Sequence, residues 1–347
     1  MIAIVPRVNS FSERWIPYCE ANKIPYVTVD PYHSGVIAAI EGCRALLWHW
    51  TQDDYRAQLF ARQLSLALEA KGIVVFPDSR SSWLFDDKVS QKYMLEALGL
   101  PLVPCTVFYD ERSATQWANS TTYPKVFKLR GGAGSRNVLL VNGKRHAVSL
   151  IRRAFGQGFR SASRFGRVRE AVWHHRRDGG LDNLLRVAKR LAETPFQSLE
   201  ERLLPVQKGY VYFQEFKTGC ALDDRFIVIG DRCICLRRYC READFRASGS
   251  GVVSRDPVLF PLEGVQLAFE TARKLKVRCL AVDVVYSHGR PMLVEVSYGF
   301  VMGPLYDLCP GYYDSALNWH AAAVDPQEYI IEDVLHSVCD HGSINRS

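Results

Sequence analysis

The sequence predicts an α/β protein in which a small parallel unit precedes a larger, strand-rich α+β region. Two observations carry this. The first ~85 residues alternate short apolar runs with helical stretches, the mark of a parallel sheet with crossover helices. Beyond them the apolar runs are longer, and two end in a hairpin (Cys279–Tyr286 and Met292–Val296).

The elements follow in order. Ile2–Pro6 reads as a strand, a helical stretch covers Glu13–Asn22, and Ile24–Val29 is a second strand. Ala45–Trp50 is a third. Tyr55–Ala70 is a helix, since Phe60, Leu64, Ala67 and Leu68 recur at helical spacing. Gly72 stops it, and residues 73–78 (IVVFPD) return to a strand. This front unit has no GxGxxG, which argues against a dinucleotide role. A further helix starts at Asp86-Asp87-Lys88, where acidic residues suit the dipole, and Gly99 with Pro101 closes it. Val103–Val141 reads as strand-rich. Ile151–Pro205 holds twelve Lys/Arg and six Asp/Glu, so nearly all of the net charge of +7 sits there. It reads as a basic helical insertion, either a solvated face or a docking surface for something anionic. Strands return at Tyr210–Phe216, Asp224–Ile229 and Arg232–Tyr239, and an aromatic- and proline-rich tail ends the chain. The expected divisions are 1–85, 86–150, 151–205 and 206–347.

Composition sets the outer limits. At 347 residues, with 48% hydrophobic and 23% charged, the chain is long enough for two or three domains and too apolar for disorder. No run approaches the ~18 apolar residues of a membrane-spanning helix, and no secretory leader opens the sequence. The mild positive charge suits anionic small molecules without calling for nucleic acid. Ten scattered cysteines without a CxxC pair read as buried thiols in a reducing cytoplasm. Cys233 and Cys235 would share one strand face.

Four signals bear chemistry. The glycine-rich run 131–137 (GGAGSRN) follows an apolar strand carrying Lys128, and such runs let backbone N–H groups approach phosphate. No GK[ST] follows, so it is not a Walker A loop. The strand 212–217 (YFQEFK) ends by exposing backbone groups, a carboxylate and an aromatic. Arg225, Arg238 and Arg246 offer planar, bidentate forks for carboxylate or phosphate oxygens. Asp283 and Glu295 interrupt otherwise apolar strands, and buried carboxylates suit a divalent cation. A three-residue turn, His288-Gly-Arg290, would set Ser287 opposite Pro291 and Asp283 opposite Glu295, with Ser297 on the same face. A two-residue turn would put Asp283 opposite Val294.

In this order and spacing the four signals resemble the ATP-grasp superfamily, nearest its RimK-like branch, over roughly residues 80–300. The resemblance implies an ATP-grasp fold with a small α/β domain in front. It implies that Lys88 and Lys128 meet ATP phosphates, and that Gly131, Gly132, Gly134 and Ser135 belong to the loop that closes on them. Gln214, Glu215, Phe216 and Lys217 would hold adenine, and Asp283 and Glu295 one or two Mg2+ ions. Ser297 stands where the family usually has an asparagine ligand. Residues 244–251 (DFRASGSG) are similar to the family's DFRxN segment, so Arg246 would face the acyl phosphate. The implied activity is ATP-dependent amide formation between a carboxylate and an amine, through an acyl phosphate, with release of ADP. The tail, 296–320, is similar to ATP-grasp proteins of bacterial surface polysaccharide biosynthesis. That extends the expectation to a sugar carboxylate, nucleotide- or glycan-linked, and allows a homodimer. The alternatives are an amino-acid or peptide ligase and a non-catalytic ATP-binding regulator.

Overall fold

The computed structural model describes residues 1–132, 138–160, 185, 187–189, 203–217, 219, 221–240 and 251–344. The chain divides into two compact units, one of Met1–Thr51, Arg56–Val103 and Lys217–Ser347, the other of Gln52–Tyr55 and Pro104–Phe216.

The first unit contains a four-stranded parallel sheet. Its strands are β1 (Ile2–Ile4), β2 (Tyr26–Thr28), β3 (Ala45–Leu47) and β4 (Val74–Phe76), in the order β2-β1-β3-β4. Every residue of the inner strands β1 and β3 is buried, which is why both read as unbroken apolar runs. The connecting helices are α1 (Ser12–Ala21), α2 (Val36–Ala39) and α3 (Tyr55–Ala70), and α4 (Ser79–Leu84) follows β4. The expected third strand is shorter than its apolar run, because Trp48, His49 and Trp50 turn off the sheet and bury their rings beyond its end.

Helix α5 (Lys88–Ala97) starts where the acidic pair predicts. Asp87 is its cap and accepts the Ser90 N–H at 2.9 Å. The large sheet of this unit is antiparallel. Its strands are β11 (Leu222–Ile229), β12 (Arg232–Tyr239), β13 (Val253–Ser254), β14 (Cys279–Ser287), β15 (Arg290–Ser297), β16 (Gly311–Asp314) and β17 (Trp319–Ala321). The order is β15-β14-β11-β12-β16-β17, with β13 added to β12. Alternate side chains of the central strands serve different cores. Ile227, Ile229, Ile234, Leu236 and Ala281 pack with the parallel sheet's residues. Phe226, Val228, Cys233, Cys235, Val282 and Val284 pack under α8 (Leu262–Leu275). The stretches of the sheet that are covered on both faces are apolar at successive positions, as in residues 226–229 and 233–236. Cys233 and Cys235 share one of those faces as free thiols.

The hairpin corrects one expectation and preserves its result. The turn has two residues, His288 and Gly289, both with positive φ (51° and 76°), and Ser287 pairs with Arg290. Such a turn matches the strands' twist. Pro291 therefore faces Tyr286, not Ser287. A bulge between Asp283 and Val284 then takes up Val294, and Asp283 faces Glu295 after all.

The tail is more regular than its composition suggests. It holds α9 (Pro304–Asp307), the β16–β17 pair and the 19-residue helix α10 (Pro326–Ile344), which packs on α1 and β4. The Trp15 indole donates to the Gln327 carbonyl at 3.0 Å.

The second unit is a four-stranded antiparallel sheet, order β5-β10-β6-β7: Cys105–Phe108, Val211–Glu215, Lys125–Lys128 and Val138–Val141. Helices α6 (Glu111–Ser120) and α7 (Lys144–Phe155) close over Phe127, Val141, Val211 and Phe213. The strand-rich stretch 103–141 holds β5, β6 and β7, and helix α6 is an element its reading did not anticipate. Its cap is Asp110, which accepts the Ser113 N–H at 2.7 Å. Strands β8 (Phe159–Arg160) and β9 (Val206–Gln207) pair with each other. Of the expected insertion, 151–205, the described residues are 151–160, 185, 187–189 and 203–205, which include the end of α7 and strand β8. Among the described residues no helix is long and apolar enough to cross a membrane.

Candidate active site

In the first unit, one face of the large sheet carries a row of charges. Strand alternation and register explain it. Asp283 faces Glu295 on one side and Arg225 on the other, and Asp223 faces Arg238. Arg225 holds Asp283 in a two-pronged pair, Nε to Oδ1 at 2.6 Å and Nη2 to Oδ2 at 2.7 Å. Arg238 holds Asp223 the same way, at 2.6 and 2.8 Å, and also reaches Asp283 Oδ2 at 2.9 Å. Burial alone would push the Asp283 carboxyl up. Arg225 and Arg238 outweigh burial and hold it well below the usual carboxylate range. At Asp223 burial wins over Arg238, and its carboxyl is raised.

Lys88, the first residue of α5, is buried and lies 3.2 Å from Glu295 Oε1. Burial disfavours its charge, but Glu295 and Asp86 outweigh that and raise its pKa. Sequence reasoning missed the residue that fixes this pair. The buried Gln91 amide donates to the Leu84 carbonyl (2.9 Å) and the Val296 carbonyl (2.8 Å), and accepts the Val296 N–H (3.2 Å). It clamps α5 to β15 beside Glu295. No pattern marks a single glutamine on an amphipathic helix as such a clamp. Ser297 Oγ donates to the Gly299 carbonyl and accepts the Gly299 N–H, both at 3.0 Å.

The donor set fits a hard divalent cation: two carboxylates on neighbouring strands face each other, and such ions take oxygen ligands. Asp283 already shares both its oxygens with arginines, whereas the Glu295 side chain keeps 29% of its surface open.

In the second unit, β6 and β10 carry the other predicted residues. Lys128 is buried and faces Tyr212, and Gln214 faces Val126 on the same side of the sheet. Glu215 pairs with Lys125, Nζ to Oε1 at 2.5 Å, and Phe216 follows at the strand end. Lys125 is a second buried lysine that the sequence reading did not single out, although it precedes Lys128 by three residues in the same strand. The Tyr210 hydroxyl accepts the Arg130 N–H at 2.6 Å and donates to Gln207 Oε1 at 2.7 Å. It ties the base of the glycine-rich run to β9. Gly131 and Gly132 follow at once, and Gly132 has φ 120°, open to glycine. Gly134, Ser135 and Arg246 lie outside the described residues. Lys217 belongs to the first unit, one residue past the division. The structure thus groups Lys88, Arg225, Arg238, Asp283 and Glu295 in one unit, and Lys128, Gly131, Gly132, Gln214, Glu215 and Phe216 in the other.

No protein-family model matches the chain, and no curated protein matches it. Solved structures do. One is a RimK domain ATP-grasp protein from Sphaerobacter thermophilus, with TM-score 0.53 at 16% identity over 98% of each chain. D-alanine–D-alanine ligase from Bacillus anthracis gives 0.53 at 15% identity, over 97% of this chain and 98% of that one. The biotin carboxylase domain of 2-oxoglutarate carboxylase from Hydrogenobacter thermophilus gives 0.58 at 14% identity, over 96% and 69%.

Proposed function

We propose that this chain, which has the ATP-grasp fold, is an ADP-forming carboxylate–amine ligase. The observation that supports this most is the charged row of the first unit. Two carboxylates face each other beside a buried lysine and two aligned arginines. Such a set suits a polyanion accompanied by a cation, because it offers both signs in fixed positions.

In this reading an oxygen of the substrate carboxylate attacks the γ-phosphorus of ATP, and the bond to the β,γ-bridging oxygen breaks. ADP leaves with that electron pair, and an acyl phosphate remains. The amine then attacks the acyl carbon, and phosphate departs with the electrons of the acyl–oxygen bond. The amine's proton passes to solvent or to the departing phosphate. A carboxylate is a poor acylating agent, and phosphorylation supplies its leaving group.

The chain's own residues bind and orient. Lys88 and Lys128 offset phosphate charge, Gly131 and Gly132 start the loop that approaches the phosphates, and Gln214 to Lys217 hold the adenine. Arg225 and Arg238 orient the transferring group, and Arg246 would contribute to the same task. Asp283 and Glu295 would hold Mg2+, with Ser297 next to them, and the ion would supply further charge neutralisation. The finer reading, a sugar carboxylate of surface polysaccharide synthesis as acid, rests on the sequence of the tail alone.

The test is phosphate release from Mg-ATP against a crossed panel of carboxylates and amines that includes nucleotide-linked uronic acids. Release that requires one acid and one amine establishes the ligase and names both. ATP binding with no release across the panel counts against it and favours a regulator.

A further inference from the structure

At the C-terminal edge of the parallel sheet, the loops leaving β1 and β3 lie side by side, because those strands are neighbours and run the same way. Three buried hydrogen-bond donors without a partner among the described residues lie on these loops, and a fourth donor stands beside them. The Arg7 Nε and the Trp50 Nε1 are buried and unpaired. The Ser10 hydroxyl, on a residue with 0% exposure, is likewise unpaired. The fourth donor is on His49. Its Nδ1 accepts the Phe11 N–H at 3.3 Å, so the proton of the neutral ring sits on Nε2. Burial, and then Arg7, push this ring down to about 3, so it is neutral.

The donors belong to one locale. The Arg7 Nη2 donates to the His49 carbonyl at 3.1 Å, and Phe11 stacks on the His49 ring at 3.7 Å. Ser10 precedes Phe11, and Trp50 follows His49. The Tyr298 hydroxyl donates to the Trp50 carbonyl at 2.5 Å and holds that loop in place.

Three features speak against a purely structural role. Arg7 is only half-exposed and forms no ion pair among the described residues, although a charge withdrawn from water ordinarily has a counter-charge. The set is rich in donors, and the neighbouring Glu13 carboxylate is exposed and accepts the Asn9 N–H at 3.1 Å. Asn9, in the loop after β1, has φ 55°, a conformation that surrounding structure must hold. Ligands of open parallel sheets also bind outside the carboxyl ends of the strands.

We propose that the Arg7–Ser10 and His49–Trp50 loops bind an oxyanion, a carboxylate or a phosphate, carried by a molecule that the chain ligates. The link to ligation rests on the function proposed above; the oxyanion site does not. Arg7 supplies the charge and its unpaired Nε–H, and Ser10, His49 and Trp50 supply neutral donors. Phe300 packs on Phe11 at 4.9 Å and Tyr306 on Phe300 at 5.5 Å, and Tyr306 neighbours Arg225 of the charged row, so these aromatic rings link the loops to that row.

The test is thermal melting of the full chain with Mg2+ and a non-hydrolysable ATP analogue present. Sodium phosphate and sodium acetate are titrated separately against sodium chloride at equal ionic strength. One oxyanion should raise the melting temperature saturably while chloride does not, and the one that saturates at lower concentration identifies the group as phosphate or carboxylate. Arg7→Gln should raise the half-saturating concentration about 10- to 100-fold, the effect of losing a charged hydrogen bond. Ser10→Ala should raise it less, without lowering the melting temperature of the anion-free protein, since it removes an unpaired buried group. If Arg7→Gln does not fold, Ser10→Ala and Trp50→Phe decide. No oxyanion-specific shift, or coincident curves for wild type and variants, overturns the proposal. If the nucleotide analogue gives no shift of its own while the oxyanion does, the ligase reading falls and this site stands.

Discussion

Asp223 and Asp224 are adjacent, and so are Arg237 and Arg238, yet the two pairs they make lie on opposite faces of one sheet. Asp224 is fully buried under α8, gripped by Arg237 at 2.7 and 2.8 Å and capped by the Tyr286 hydroxyl at 2.9 Å. Gly264 of α8 leaves the room: a Cβ there would meet the Tyr286 hydroxyl at 2.5 Å and Phe226 at 2.9 Å. On the other face Asp223 and Arg238 join Arg225, Asp283, Glu295 and Lys88 in a continuous row. The same residue types in the same two strands therefore give a sealed pair on one side and an extended, partly open row on the other. What separates them is the covering element, a helix in the first case, and not the residues themselves.

The sharpest break of this contrast is Asp224→Ala. It strands Arg237 beneath α8 and should cost about 3–5 kcal/mol in a denaturant titration, while Asp224→Ala molecules that remain folded keep the charged row. Glu295→Gln should do the reverse. Turnover should fall about 10²–10³-fold, the range for losing one preorganised electrostatic contact, with the unfolding midpoint little changed because Asp86 and Asp87 also face Lys88. Equal stability losses in the two variants would erase the distinction between the faces.

Acid should find a third group first. His49, in the core that the row's face shares with the parallel sheet, titrates near 3 when folded and near 6.5 when unfolded. Between those values the unfolded chain binds the extra proton, so the stabilisation is complete above 6.5 and is lost as pH falls towards 3. By pH 5 the loss should be about 2 kcal/mol. His49→Gln should flatten that slope between pH 6.5 and 5 in a pH series of unfolding curves. The smallest expected effect is Tyr286→Phe. Arg237 still neutralises Asp224, so one hydrogen bond to a carboxylate is lost, worth about 1.5 kcal/mol in the same titration.

Much of the fold was legible because burial on both faces leaves no choice of residue. β1 and β3 sit within unbroken apolar runs, and β11, β12 and β14 within apolar runs that a few charged residues interrupt. Helix α6 was not legible as a helix, since ERSATQWANS offers only Ala114 and Ala118 as fully buried positions. Its one clear signal was the Asp110-x-x-Ser113 cap. Helix α10 was obscured by the aromatic stretch before it. In the charged row, facing carboxylates could be read from alternation, but the two guanidinium partners of Asp283 lie 58 and 45 residues away in the chain, and only register brings them together. Gln91 and Tyr210 act through backbone groups of distant elements, which no local pattern announces. The bulge did leave a trace. Leu293 and Val296, both buried under α8, are three apart where a regular strand would space them by two.

That spacing bears on how the hairpin tolerates insertions and deletions. Val294 is the phase shift between two stretches of β15: on the turn side the strand keeps one parity, and on the Glu295 side the other. Excising Val294 would leave Val284 opposite Leu293 and Asp283 opposite Glu295 in an ordinary ladder. Excising a turn residue would instead force the whole strand to slide and turn Glu295 towards α8. Length in this hairpin is thus negotiable at one position in its middle and fixed at its tip, the opposite of what loop-tip plasticity leads one to expect.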